Sequence, residues 1–320
     1  MSGILDVDLC AFEQGGVRGR KAVVDGVRRS LETGFVYVRH DVPAEVLDAA
    51  YEMLATFFHL PREAKERCRV PGSMGQSGYT GALVETAAGS DRPDWKEMLN
   101  WSIELPKGHP LAKRYPHRYM PRAFPEVPGI AEALGRLHDA LFDLQRRFLR
   151  IVALGIGCAE TYFDGMLKDG PTLTRAIRYP PMEGAPAGHV WAAEHGDINL
   201  TTALPRATAR GLQVKTAGGW VDAAPPDGCA ILNTGLMLER LTNGVGPAGI
   251  HRVVADAGQA GERLSVVQFC HPSPWTVLAP VPTCVDAAHP PREAPITAAD
   301  WLDEVLYDIN LVDDARRVAK

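Results

Sequence analysis

The apolar positions of this chain change period part-way along it. Ile130, Leu134, Leu137, Leu141, Leu144, Phe148 and Ile151 follow one another at alternating intervals of four and three, which lines them up as one stripe on a helix from about Ile130 to Leu154. A coiled coil shows the same repeat. The stripe stops at Gly155 and Gly157 and strand-like sequence follows directly, so a helix laid against a sheet is the expectation. Two further helices are expected upstream, from Gly19 to Leu31, stopped at Gly34, and from Pro43 to Leu60.

From about Thr172 to Pro280 the period shortens, and apolar runs alternate with turns rich in Gly, Pro, Asn and Asp. Strands are expected over Leu173 to Tyr179, His189 to Ala193, Ile198 to Leu204, Leu212 to Lys215, Trp220 to Ala223, Ala230 to Asn233, Ile250 to Ala255 and Leu264 to His271. Their number and spacing suit two sheets facing each other over one core, a sandwich or jelly roll. The expected class is α+β, a double-stranded β-helix (jelly roll) core flanked by helices, mostly from the N-terminal half. Residues 1–320 are expected to form one domain, with a helical region over 1–155, the jelly-roll core over 172–280, and a linker and closing helix over 281–320. In that closing helix, Ala298 to Ile309, the residues Trp301, Val305 and Leu306 share one side.

Composition narrows the class without naming a chemistry. The 320 residues are 46% hydrophobic, ordinary for a globular protein with a substantial core. A formal net charge of −5, without a block of like charge, argues against nucleic acid or an anionic membrane as partner. The N-terminus carries acidic residues where a signal peptide needs a basic region, and even the apolar run Phe148 to Gly157 is interrupted by Arg150. A cytoplasmic protein is expected. Cys10, Cys68, Cys158, Cys229, Cys270 and Cys284 form no CxxC pair and are read as free thiols.

Candidate chemistry concentrates in the strand-rich half. His195 and Asp197 are two apart, a spacing that puts both side chains on one face of an extended strand, here expected within Trp191 to Leu204. His251 follows on another strand. Two imidazoles and one carboxylate are the set that holds a non-haem iron on one face and leaves the other positions open. Arg263 and Ser265 repeat the spacing and place a guanidinium fork beside a hydroxyl, which suits a carboxylate held bidentately. Each of these polar residues interrupts an apolar strand, where an unpartnered imidazole or carboxylate would cost several kcal/mol. His189 and His271 are alternative ligands without a carboxylate two residues on. The run Gly244 to Gly249 matches GxGxxG, yet Pro247 interrupts it and a strand follows, so it is read as a turn. Tyr79, Trp95 and Trp101 are candidates for either a substrate pocket or the core, and Phe269 and Trp275 are the alternative substrate contacts.

The ordered set of these motifs resembles the iron(II)- and 2-oxoglutarate-dependent oxygenases of the isopenicillin N synthase-like family. The resemblance runs over most of the chain. It rests on Gly34 to Asp41 and the helix after it, which look like the family's opening strand and helix, the turn Ser77 to Gly81, the segment Pro93 to Glu97, Arg178 to Pro181, Gly211 to Val214 with Gly219 and Trp220, Leu241 to Gly244, His251 to Val253, and the Arg263, Ser265 pair. Leu236, Ala248 and the segment Arg39 to Asp41 depart from the usual pattern, and none of them is a proposed ligand.

What the resemblance implies is specific. His195, Asp197 and His251 would ligate Fe(II), Arg263 and Ser265 would bind the distal carboxylate of 2-oxoglutarate, and Tyr179 would contact co-substrate or substrate. Dioxygen would be the other co-substrate, with succinate and carbon dioxide formed as a small molecule is oxidised. A carboxylate at Asp197 fills the position that halide occupies in related halogenases, so hydroxylation, desaturation or ring formation is the expected outcome. Richness in Ala, Arg, Gly and Pro suggests a bacterium and specialised metabolism, antibiotic biosynthesis included. Two other readings stay open: an oxidase of the same fold that does not use 2-oxoglutarate, and a non-catalytic jelly-roll binding protein.

Overall fold

The computed structural model describes residues 3–73, 75–86, 92–255 and 259–308. Its largest sheet has eight strands, drawn from both halves of the chain, in the order β1-β2-β10-β7-β12-β5-β4-β3. These are β1 (Asp6–Asp8), β2 (Phe35–Arg39), β3 (Gly78–Thr80), β4 (Glu97–Ser102), β5 (Leu173–Tyr179), β7 (Thr201–Leu204), β10 (Cys229–Thr234) and β12 (Arg263–Cys270). Facing it is a four-stranded sheet in the order β6-β11-β8-β9, made of β6 (Ala192–His195), β8 (Leu212–Thr216), β9 (Gly219–Asp222) and β11 (His251–Val253). Apart from the parallel β1–β2 pair, neighbouring strands run antiparallel.

The alternation within each strand decides which of two cores a residue joins. In β2, Val36 and Val38 pack outward against the helices, while Phe35 and Tyr37 pack inward between the sheets. In β12, Leu264 and Val266 face the helices and Arg263, Ser265, Val267 and Phe269 face the inter-sheet space. The outer layer is anchored by the Ile130–Gly155 helix, whose Leu134, Leu137, Leu141, Leu144 and Phe148 are all buried. The apolar stripe therefore lies against a sheet, in keeping with its abrupt end. The helices Gly16–Ser30 and Ala44–Phe58 pack beside it, and Ala298–Asp308 closes the chain's described end. No helix among the described residues is long and apolar enough to cross a membrane.

Three details differ from expectation. The first 155 residues contribute four strands besides helices, of which only β2, within Gly34 to Asp41, answers to a strand the resemblance implies. β1 and β3 are three residues long, too short to show a period, and β4 mixes polar with apolar residues because Glu97 pairs with Lys65 and Arg178 and Asn100 accepts from Arg175. Second, β6 covers Ala192–His195 rather than His189 to Ala193, and β7 begins at Thr201. Third, Asp197 is not on a strand. Between His195 and Thr201 the chain crosses from the small sheet to the large one, and the carbonyls of Asp197, Ile198, Asn199 and Leu200 accept hydrogen bonds from the backbone of Gly235, Leu236 and Met237 instead of from a neighbouring strand.

Candidate metal centre and its cavity

The two sheets part to leave a cavity that opens to solvent. His195, at the end of β6, stands directly opposite His251, at the start of β11, in the antiparallel register, and the two ring centroids are 4.4 Å apart. Although it lies beyond the strand, Asp197 reaches the same point. Its Oδ1 is 3.9 Å from Nε2 of each histidine, and the ligand atoms of all three residues fall within 4.8 Å of one another. At 3.9 Å these are not hydrogen bonds. Three lone-pair donors thus converge on a common point with no proton shared between them.

The rest of each side chain is already committed. Nδ1 of His195 lies 2.8 Å from the Ala193 carbonyl, and Nδ1 of His251 lies 3.0 Å from the Gly249 carbonyl. A carbonyl only accepts, so each Nδ1 carries the proton and each Nε2 is left bare for a metal. Oδ2 of Asp197 accepts from Thr202 Oγ1 at 2.6 Å and Asn233 Nδ2 at 2.9 Å, which turns Oδ1 toward the histidines. Burial pushes the His195 imidazole down to about 4, helped by the neighbouring His251, so the ring is neutral at physiological pH. Burial by itself would raise the Asp197 carboxyl, but His251, His195 and the hydrogen bonds from Asn233 and Thr202 hold it below the usual range. The donor set, its protonation and its supporting hydrogen bonds fit a divalent transition metal with open positions.

Arg263 lies in the same cavity, 2% exposed. Its Nε donates to the Ala209 carbonyl at 3.2 Å and a terminal nitrogen to Ser265 Oγ at 2.9 Å, while the ring of Tyr179, its partner across the β5–β12 register, sits 5.1 Å beneath the guanidinium. No carboxylate pairs with Arg263 among the described residues. A buried guanidinium left so costs several kcal/mol, which an entering carboxylate would offset.

The aromatic candidates divide. Phe269 lines the cavity. Tyr79 and Trp101 do not: both belong to the outer core, where the Tyr79 hydroxyl donates to Glu97 at 2.6 Å and the Trp101 indole to the Leu134 carbonyl at 3.1 Å. Trp101 and Leu99 point to the helix side of β4, whereas Met98 faces the other sheet. Trp95 packs against the inner apolar cluster and donates to the Pro181 carbonyl at 3.2 Å, outside the cavity lining. Trp275 is 42% exposed beside Tyr115, away from the cavity. His189 sits on a loop against the Pro186 carbonyl, and His271 is buried at the far end of β12; neither joins the ligand group.

Sequence reasoning missed Lys96, Arg175, Thr202 and Asn233 in the cavity wall. Arg175 had a signal: it shares a face with Ile177 and Tyr179 on β5, a strand whose limits match the sequence expectation. Asn233 stands two residues from inward-facing Ile231 in the same way.

Comparison with known proteins adds an independent line. Residues 6–126 match the family described as the non-haem dioxygenase in morphine synthesis N-terminal region, and residues 171–272 match the 2OG-Fe(II) oxygenase superfamily. The chain is 31% identical to leucoanthocyanidin dioxygenase 1 of Oryza sativa subsp. japonica, over 94% of this chain and 80% of that protein. It is 28% identical to mugineic-acid 3-dioxygenase of Hordeum vulgare, over 88% and 78% of the two chains. Among solved structures, a 2OG-Fe(II) oxygenase family protein from Caulobacter crescentus superposes with a TM-score of 0.84 at 31% identity, covering 97% of this chain and 100% of that one. A Neurospora crassa protein solved in complex with alpha-KG shares the fold, with a TM-score of 0.83 at 24% identity over 94% and 95% of the two chains.

Proposed function

The chain belongs to the 2OG-Fe(II) oxygenase superfamily and is a 2-oxoglutarate- and iron(II)-dependent dioxygenase, and from that premise we propose that His195, Asp197 and His251 hold its iron while Arg263 and Ser265 hold its keto acid. The observation that carries the reading is the pairing, in one cavity, of three converging bare donors with a buried guanidinium that lacks a carboxylate partner among the described residues. When bound, iron(II) with 2-oxoglutarate supplies the oxidising chemistry: one oxygen atom of O₂ ends in succinate as carbon dioxide leaves, and the other serves to oxidise the substrate.

The protein's own residues prepare that chemistry. The carbonyls of Ala193 and Gly249 fix both imidazoles as Nε2 donors, and Thr202 and Asn233 keep Oδ2 of Asp197 occupied. Arg263 and the Ser265 hydroxyl offer donors to the distal carboxylate, with Tyr179 flooring the guanidinium. Phe35, Ile177, Leu204, Leu212, Ile231 and Val253 line the remaining wall and exclude water from the reacting groups. With Asp197 supplying a carboxylate, the outcome we favour is hydroxylation, desaturation or ring formation of a small molecule, in bacterial specialised metabolism as the composition suggests.

The test is oxygen-dependent turnover. Protein loaded anaerobically with iron(II) and 2-oxoglutarate, then given O₂ and a panel of small molecules, should form succinate faster in the presence of its substrate. Oxygen uptake with substrate oxidation but no succinate would instead assign an oxidase of the same fold.

A further inference from the structure

Resting on the reading above, we propose that Arg175 and Lys96 form a second oxyanion-binding wall in this cavity and that the primary substrate carries a carboxylate held there. Among the described residues three cations line the cavity: Arg263, Arg175 and Lys96. The first serves the keto acid, and the other two are unused by the iron and co-substrate.

Arg175 is held as a recognition group. Its Nε donates to Asn100 Oδ1 at 2.7 Å, one terminal nitrogen to the Gly75 carbonyl at 3.2 Å, and its guanidinium lies 5.3 Å from the ring of cavity-lining Phe269. The other terminal nitrogen meets both oxygens of Glu85 at 3.3 and 3.5 Å, longer than the 2.6 Å of Arg178–Glu97 and the 2.9 Å of Lys96–Glu85. These contacts use four of the five guanidinium N–H groups, so one donor is left on the nitrogen bonded to Gly75. Lys96 converges on the same place, since its Nζ touches Glu85 at 2.9 Å and Asp94 at 2.8 Å.

The acids and the cations are arranged unequally. Lys96 and Arg175 line the cavity, whereas Glu85 and Asp94, which pair with them, are absent from its lining. That pairing offsets the cost of burying two cations, and the cations rather than the acids border the space a substrate enters. In the strand register Arg175 is opposite Val267, four residues along β12 from Arg263, or about 13 Å at the rise of an extended strand. That separation keeps the two carboxylate sites distinct. A planar, fork-shaped donor stacked on an aromatic ring suits a carboxylate carried on a flat or apolar body.

Benzoate and its neutral amide, benzamide, are the probes, titrated calorimetrically into protein loaded with manganese(II) and saturating 2-oxoglutarate. Benzoate is expected to bind without displacing the keto acid, benzamide to bind at least tenfold more weakly, and Arg175→Met to lower benzoate affinity at least tenfold. Arg175→Lys, which retains the charge, should keep part of it and controls for folding. Equal binding of benzoate and benzamide, no benzoate binding, or benzoate affinity unchanged in Arg175→Met overturns the proposal. Failure of the functional reading looks different: 2-oxoglutarate itself would then fail to bind the metal-loaded wild type, or would lose its affinity in Arg175→Met rather than in Arg263→Met.

Discussion

At the scale of single residues, groups that touch metal or keto acid differ from groups that aim them. Arg263→Lys keeps a positive charge but loses the planar fork shared with Ser265. The apparent affinity for 2-oxoglutarate should fall about tenfold or more, equivalent to roughly 1.4 kcal/mol. An unchanged keto acid dependence would move Arg263 to another role. Asn233→Ala acts one step back: it removes a hydrogen bond from Oδ2 of Asp197 and frees that carboxylate to turn. Iron affinity should drop about 10- to 100-fold while the fold is retained, measured by competition with a chelator. The cluster of His195, Asp197 and His251 was legible because rare residue types at strand spacing interrupt apolar runs. The aromatics were not, since a Trp or Tyr looks alike in a pocket and a core. Parity would have helped: Met98 turns inward on β4, so Leu99 and Trp101 turn toward the helices.

At the scale of elements, the strands of the C-terminal half were legible to within a few residues because each has one face on a core. What periodicity could not show is the crossing between β6 and β7, which takes Asp197 off the strand yet leaves it beside His195. One contact between elements can be tested directly. Gly34 precedes β2 with φ +75°, and a Cβ there would come within 2.5 Å of the Gly249 Cα. The Gly249 carbonyl is the group that fixes His251, and the Phe35 ring meets His251 edge-on at 6.0 Å. Gly34→Ala should therefore lower stability by about 1–3 kcal/mol through strain and also weaken iron binding. Lower thermal stability with wild-type iron affinity would show that the contact serves the fold alone.

At the scale of the whole molecule, the pattern change near residue 155 marks the end of the long helix and the start of the strand-rich half, but it hid β1, β3 and β4, which widen the large sheet. Pairings between distant segments, such as β2 with β10, leave no local signature. Buried histidines outside the site make a further global prediction. Burial lowers His138 from 6.5 to about 4 and His271 from 6.5 to about 3. With folded-state values depressed, the unfolded chain binds more protons between these values and 6.5, so this stability is complete above about pH 6.5 and is lost as the pH falls toward 4. The limiting loss for His138 is about 3 kcal/mol. Denaturant midpoints of the metal-free protein should fall between about pH 7.5 and about pH 5, and less steeply in His138→Gln. Equal midpoints at the two pH values would contradict the assignment of these rings as buried and neutral.

The central claim is that one cavity holds iron through His195, Asp197 and His251 and the keto acid through Arg263. Anaerobic equilibrium dialysis against iron(II) and radiolabelled 2-oxoglutarate tests both halves together. Wild type should retain one equivalent of each, and His195→Ala, Asp197→Ala and His251→Ala should each lose most of the iron and, with it, the keto acid. Arg263→Met should keep the iron and lose the keto acid. Stoichiometric iron in Asp197→Ala, or undiminished 2-oxoglutarate in Arg263→Met, would contradict the account.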